Sequence, residues 1–250
     1  MHEASARLAG GSLVAASALI SGAVPRAVNF GGGMHHAFAG KASGFCIYND
    51  TALSIQKLLD SGVSRWLTLT LTRTTATAPN ASLGRPRVLT ISLHETGLTL
   101  FPGTGFANDI GGPNATGSAV NVSLPAGTSD AGWLRAFHAV VPQLVEAFAP
   151  EVIVSQHGCD SHRDDELTHL NTSVDGQREA ALSIAALADK VCGGAGSRQA
   201  AAATTLSPWC RECGVTSWQS WPGGRCRCAH LCRRRGGRMW RKNTAWWHRC

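Results

Sequence analysis

The chain has 250 residues, 44% of them hydrophobic, with 23 Lys and Arg against 16 Asp and Glu for a formal net charge of +7. That apolar content, arranged in periodic runs, excludes an intrinsically disordered chain, and the length allows one domain of ordinary size with an appendage. Residues 1–192 carry 12 basic and 15 acidic side chains, whereas residues 193–250 carry 11 basic residues, Glu212 as the sole acid, six of the nine Cys and six of the eight Trp. The positive excess that would suggest an anionic partner therefore belongs to the last quarter alone.

Residues 8–25 are free of charge but broken by Gly10, Gly11, Ser12, Ser17, Ser21 and Gly22, which is thin for a bilayer helix. Glu3 stands where a signal peptide would be basic, so a buried helix over residues 11–20 is expected, ended by Gly22 and Pro25. A short apolar strand at 27–30 runs into Gly31-Gly32-Gly33. Asn49 or Asp50 caps a helix through Leu53, Ile55, Leu58 and Leu59, which Gly62 ends. Strands follow at 88–93 and 119–124, separated by a long loop containing residues 101–105 and Gly111-Gly112-Pro113. Apolar residues from Leu134 to Phe148 at helical spacing predict a helix over 133–149, stopped by Pro150. Residues 152–156 read as a buried parallel strand, and Asp175 is expected to cap a helix over 180–191. Strands alternating with helices give an α/β domain with a mainly parallel sheet flanked by helices. Three scattered Cys in the first 192 residues suit a reducing cytoplasm.

Two segments depart from this pattern. Residues 66–87 (WLTLTLTRTTATAPNASLGRPR) are Thr-rich, with no acid between Asp60 and Glu95; their first half alternates like a half-exposed strand, which is out of place in an α/β core. Residues 195–250 form an irregular basic Cys/Trp-rich tail without a sustained apolar period.

Ligands of open α/β sheets bind beyond the carboxyl ends of strands, which singles out Gly33-Met34-His35-His36 and Gln156-His157-Gly158-Cys159-Asp160-Ser161-His162. Adjacent His can divide general acid and base work, and an Asp past another strand can hold a metal; each signal alone is weak, since a His pair in a Gly loop is more often structural or at the surface.

The strings NFGGGMHHA, KASGFCIYND, RVLTISLHETG, LFPGTG and SQHGCDSH follow in this order. Together they resemble the zinc-dependent histone deacetylase family, and within it the bacterial acetoin-utilisation deacetylases, over residues 1–194 apart from the Thr-rich block. The resemblance implies an arginase/deacetylase-like fold and zinc-dependent hydrolysis of an acetylated lysine protein or a small acetylamide. It assigns His35 and His36 as the catalytic pair, Asp160 as a metal ligand, and Gly44, Phe45 and Phe101 as walls of an acyl-lysine tunnel. Phe45 and Phe101 read equally well as core, Cys46 reads as buried, and His94, His157 and His162 receive no role. Neither membrane nor nucleic acid is an expected partner. The family's domain also begins with an earlier strand and a substrate-rim loop, so Met1 reads as an internal methionine.

The family's remaining two zinc ligands come from a strand-end motif D-x-D-x-H-H-G-D-G, where this chain has residues 69–77, LTLTRTTAT. When the third base of each codon is taken with the first two of the next, residues 69–78 can be read D-x-D-A-H-H-G-D-G. In the same sense residues 200–217 can be read as a Gly-rich loop with a Tyr, the family's oxyanion donor; Tyr48 is the chain's one tyrosine. Two frame changes bracketing the Thr-rich block and a third near Gly194 would explain both segments. The chain is accordingly expected to be an incomplete, catalytically impaired deacetylase. The alternatives are a non-catalytic acetyl-lysine-binding pseudoenzyme, or a zinc- and nucleic-acid-binding tail built on Cys210, Cys213, Cys226, Cys228, His230 and Cys232 with Arg233-Arg234-Arg235.

Overall fold

The computed structural model describes residues 1–71 and 87–192 and the backbone of 198–204. In chain order the elements are α1 (His2–Ile20), β1 (Arg26–Asn29), α2 (Asp50–Asp60), β2 (Trp66–Leu71), β3 (Val88–Glu95), β4 (Ala119–Leu124), α3 (Asp130–Phe148), β5 (Val152–Gly158), a 3-10 turn (Cys159–Ser161), α4 (Val174–Val191) and β6 (Arg198–Thr204). The described strands form one sheet in the order β1-β6-β5-β2-β3-β4, every neighbouring pair parallel, so all strand ends that lead into loops bearing candidate residues share one edge. This is the α/β architecture with helices on both faces that alternating elements imply.

Alternation along the strands sends successive side chains to opposite layers. Leu67, Leu69, Leu71, Ile91, Leu93 and Ile153 join Trp133, Phe137 and Val141 of α3 and Ala180 and Ile184 of α4 in one buried cluster. Trp66, Val88, Val152 and Val154 join Ala16 and Leu19 of α1 and Ile55, Leu58 and Leu59 of α2 in the other. At about 1.5–3 kcal/mol per fully buried large apolar side chain, these two layers supply the main driving force for the domain.

Three expectations change. Residues 66–71 are not a half-exposed strand foreign to the core: β2 lies between β5 and β3 and every one of its residues is buried. The physical reason is that helices cover both faces, so the Thr side of the alternation has no solvent to meet, and Thr is β-branched enough to pack there. The remainder of the Thr-rich block, 72–86, lies outside the described residues. The cap of α4 is Ser173, whose hydroxyl accepts from the Gly176 amide at 3.2 Å; Asp175 sits inside the first turn, where its charge favours the helix dipole. Finally, β6 adds a backbone strand between β1 and β5, beyond residue 194 where an irregular tail was expected to begin.

Candidate active site

The loop from β1 to α2 carries the His pair, and its path is fixed by the first residues of α2. Asn49 caps that helix, its Oδ1 accepting from the Ala52 amide at 2.9 Å, and its Nδ2 donates to the carbonyls of His35 (3.0 Å) and Ala37 (3.1 Å). Asp50 is buried. Its Oδ2 accepts from the Ser12 hydroxyl (2.5 Å) and the Gly33 amide (3.0 Å), and its Oδ1 from the Met34 amide (2.7 Å). From the other side, Gln156 of β5 donates to the Gly33 carbonyl at 3.3 Å. The loop is thus held by helix and sheet at once.

His35 is buried, and its Nδ1 lies 3.1 Å from the Gly33 carbonyl. Burial, reinforced by the neighbouring His36, holds its imidazole down to about 3, so the ring is neutral at pH 7. The two His rings lie 4.1 Å apart between centroids, and the Phe101 ring meets His36 edge-on at 5.4 Å. Gly44 sits against the His36 ring, where a Cβ would come within 2.7 Å, and its φ of +51° is one that glycine adopts freely. His35, His36, Gly44 and Phe101 are therefore brought together.

The next residue, Phe45, is 85% exposed at φ +62°, and Phe101 is 53% exposed, so the reading of these two aromatics as core is corrected. The positive φ of Phe45 comes from its place beside Gly44 at the centre of a two-residue turn closed by Ser43 and Cys46 (3.1 and 2.8 Å), which asks for positive φ at both positions. Cys46 is buried as expected, and burial pushes its thiol up.

Asp160 is half-buried in the 3-10 turn that ends β5, four residues after Gln156. Among the described residues no three His, Cys, Asp or Glu side chains are grouped so as to hold a metal ion. In the sheet register, the strand-end positions of β2 face His157 and Leu93 with Leu71 and face Gln156 and Ser92 with Thr70. The described residues therefore do not fit a three-ligand zinc site; they supply one recognised carboxylate. Tyr48, the only tyrosine, is hydrogen-bonded to His2 Nδ1 at 2.7 Å.

Several supporting residues escaped the reading of the sequence. His94, buried in β3, lies 2.8 Å by Nε2 from the Gly105 carbonyl and 2.9 Å by Nδ1 from the Ser92 hydroxyl, which ties the loop bearing Phe101 to the sheet. Glu95 accepts from the Thr99 hydroxyl (2.8 Å), the Thr168 hydroxyl (3.0 Å), the His169 amide (2.8 Å) and His169 Nδ1 (3.1 Å). Burial pushes its carboxyl up, but these donors, the His169 amide foremost, outweigh it and hold the group below the usual range. The signal for Asn49 and Asp50 was present as a helix cap; what capping alone did not reveal is that both also grip the preceding loop. His157, beside Ser155, is held down to about 4 by burial.

The sequence profile of the histone deacetylase domain matches residues 1–197. The chain belongs to this family. Among curated relatives it is 40% identical over 195 residues to the acetoin utilization protein AcuC of Bacillus subtilis (strain 168), covering 78% of this chain and 50% of that protein. It is 36% identical over 190 residues to AcuC of Staphylococcus xylosus, covering 76% and 49%. The chain spans about half the length of the curated relatives it matches. Among solved structures, acetylpolyamine aminohydrolase from Burkholderia pseudomallei superposes with a TM-score of 0.72 at 25% identity, covering 84% of this chain and 59% of that one.

Proposed function

We propose that this chain derives from a deacetylase-type amide hydrolase of the acetoin-utilisation kind, acting in the cytoplasm on acetyl-lysine or a related acetylamide, and that the chain as written turns over little or nothing. The observation that carries the reading is the His35–His36 pair, seated on a clamped loop beside Gly44 and Phe101 in a chain of this family. In this reading the neutral His35 accepts a proton at Nε2, its Nδ1 being committed to Gly33. His36, against Phe101, donates one to the leaving amine and is restored by the proton that His35 took, and Phe45 and Phe101 flank the methylenes of the acylated side chain. Zinc, in the intact family, activates the attacking water; no step is assigned to it here, because Asp160 is its only recognised ligand.

In the frame-change reading a shifted residue draws on two parent codons, so the first acid of D-x-D falls at Leu69 or Thr70, both buried in β2; Thr70 is paired with Gln156 and Ser92. That is the layer from which Gln156 reaches Gly33 and Ser92 reaches His94. The second acid falls at Leu71 or Thr72, and the His residues fall at 73–75, outside the described residues, as do the tail positions of the shifted Gly-rich loop beyond residue 204 and the Cys cluster of the tail-module alternative.

A deacetylation assay on an acetyl-lysine peptide with added zinc tests the proposal. Turnover at background is expected; a rate near that of an intact relative overturns it. The exposed aromatic pair Phe45 and Phe101 favours one second reading, a pseudoenzyme that binds the acyl-lysine without cleaving it. Saturable binding of the same peptide with no turnover distinguishes that case from a chain that does neither.

A further inference from the structure

We infer that Asp50 is a positioning residue for His35, and that it sets which ring nitrogen carries the proton through a single intervening peptide unit. The unit is the one joining Gly33 to Met34. Its N–H end donates to Asp50 Oδ1 at 2.7 Å, and its carbonyl end receives His35 Nδ1 at 3.1 Å. A carbonyl oxygen only accepts, so Nδ1 carries the proton and Nε2 carries the lone pair. Nε2 is buried and has no hydrogen-bond partner among the described residues, so none of these competes at the opposite nitrogen to hold the proton there.

A carboxylate at the N–H end of a peptide polarises it, and hydrogen bonds in series strengthen one another in a buried setting. The Gly33 oxygen shows the demand for such polarisation, since it also accepts from the His35 amide at 2.9 Å and Gln156 Nε2 at 3.3 Å. Three donors converge on one oxygen whose own peptide is bound to a negative charge. The rest of the local sequence serves the same contact. At Gly32 a Cβ would stand 2.5 Å from Asp50 Oδ2, so glycine lets the chain wrap the carboxylate, and the Asn49 side chain pins the carbonyls on either side of His36. Asp50 thus acts on the His ring without touching it.

The functional meaning rests on the reading of His35 as a proton acceptor, but the ring proton is observed without any turnover, so either can fail while the other stands. The test is the nitrogen spectrum of the full-length chain labelled with ¹⁵N-histidine at pH 7, with the His35 signals assigned by their loss in His35→Gln. The wild type is expected to show the Nδ1–H form of His35 in large excess. In Asp50→Asn, which keeps the shape and removes the charge, the ratio of Nδ1–H to Nε2–H falls by about tenfold. Gln156→Met removes a competing donor but leaves the peptide relay intact, and the ratio stays as in the wild type. If Asp50→Asn does not fold, Asp50→Glu is measured instead, where displacement of the carboxylate from the Met34 amide brings the same fall. An Nε2–H ring in the wild type overturns the inference, as does an unchanged ratio in a folded Asp50 variant or a lost Nδ1–H form in Gln156→Met.

Discussion

The loop entering α2 and the strand β2 reach the same edge of the sheet, and they treat their polar groups in opposite ways. In the loop, the amides of Gly33 and Met34 and the carbonyls of His35 and Ala37 are each matched by Asn49 or Asp50. In β2 the Thr68 hydroxyl is buried with no hydrogen-bond partner among the described residues, and the strand places Leu71 beside His157. A parallel strand under two helical layers asks only for side chains that fill space, and WLTLTL fills it. A loop that aims two imidazoles asks for particular donors and acceptors. Sheet formation therefore survives residues that carry no chemistry, whereas the His-pair loop is held at Gly33, Met34, His35 and Ala37 by particular donors and acceptors.

The largest effect that sharpens this contrast comes from rebuilding the β2 end. Replacing residues 70–78 by D-L-D-A-H-H-G-D-G should convert a chain that retains no stoichiometric zinc after gel filtration into one that retains about one ion. The gain in affinity should exceed about 100-fold, because losing even an outer-shell partner of a metal site costs about 10–100-fold. Elemental analysis of the eluted protein reads it. On the loop side, Asp50→Ala strips a shared acceptor from Ser12, Gly33 and Met34 in a buried place, and denaturant unfolding should show a loss of about 3 kcal/mol.

A smaller effect is a pH dependence carried by the loop. His35 is held down to about 3 when folded against an ordinary value of 6.5, so the unfolded chain binds the extra proton between these limits and stability falls as pH drops through that window. Between pH 7 and pH 5 the wild type should lose about 2 kcal/mol more than His35→Gln, as measured by urea unfolding at the two pH values. Smallest and opposite in sign is Thr68→Val, which removes the unmatched hydroxyl of β2 and should stabilise the fold by about 1 kcal/mol. A loss of similar size there would mean that β2 is as finely matched as the loop.

Elements with a strong apolar period were legible in the sequence. Residues 119–124 and 152–156 are strands, and the helix through Phe137 and Val141 packs as its spacing requires. β2 was misjudged because Thr normally marks a solvent-facing side, and sequence alone does not reveal that α1 and α2 cover it. The cap of α4 was misplaced because Ser173 gains its standing from Asp130, 43 residues earlier, whose carboxylate receives the Ser173 amide at 2.7 Å. The His pair was legible through its motif, and the residues that aim it were not, since their contacts run from side chain to the backbone of a distant loop and leave no periodic trace. His94 shows the same limit: a lone histidine in a strand has no signal until its partner, the Gly105 carbonyl, is folded against it.

We propose that the reading frame departs from the family's within the Thr-rich block, so that two of the family's zinc ligands are not encoded there while the His-pair motif is. Sequencing the gene across codons 65–90 tests it most directly. The account predicts codons that spell D-x-D-A-H-H-G-D-G over positions 69–78 when read one register over, with a frame change on each side. Codons there that encode no such motif in the shifted register would contradict it.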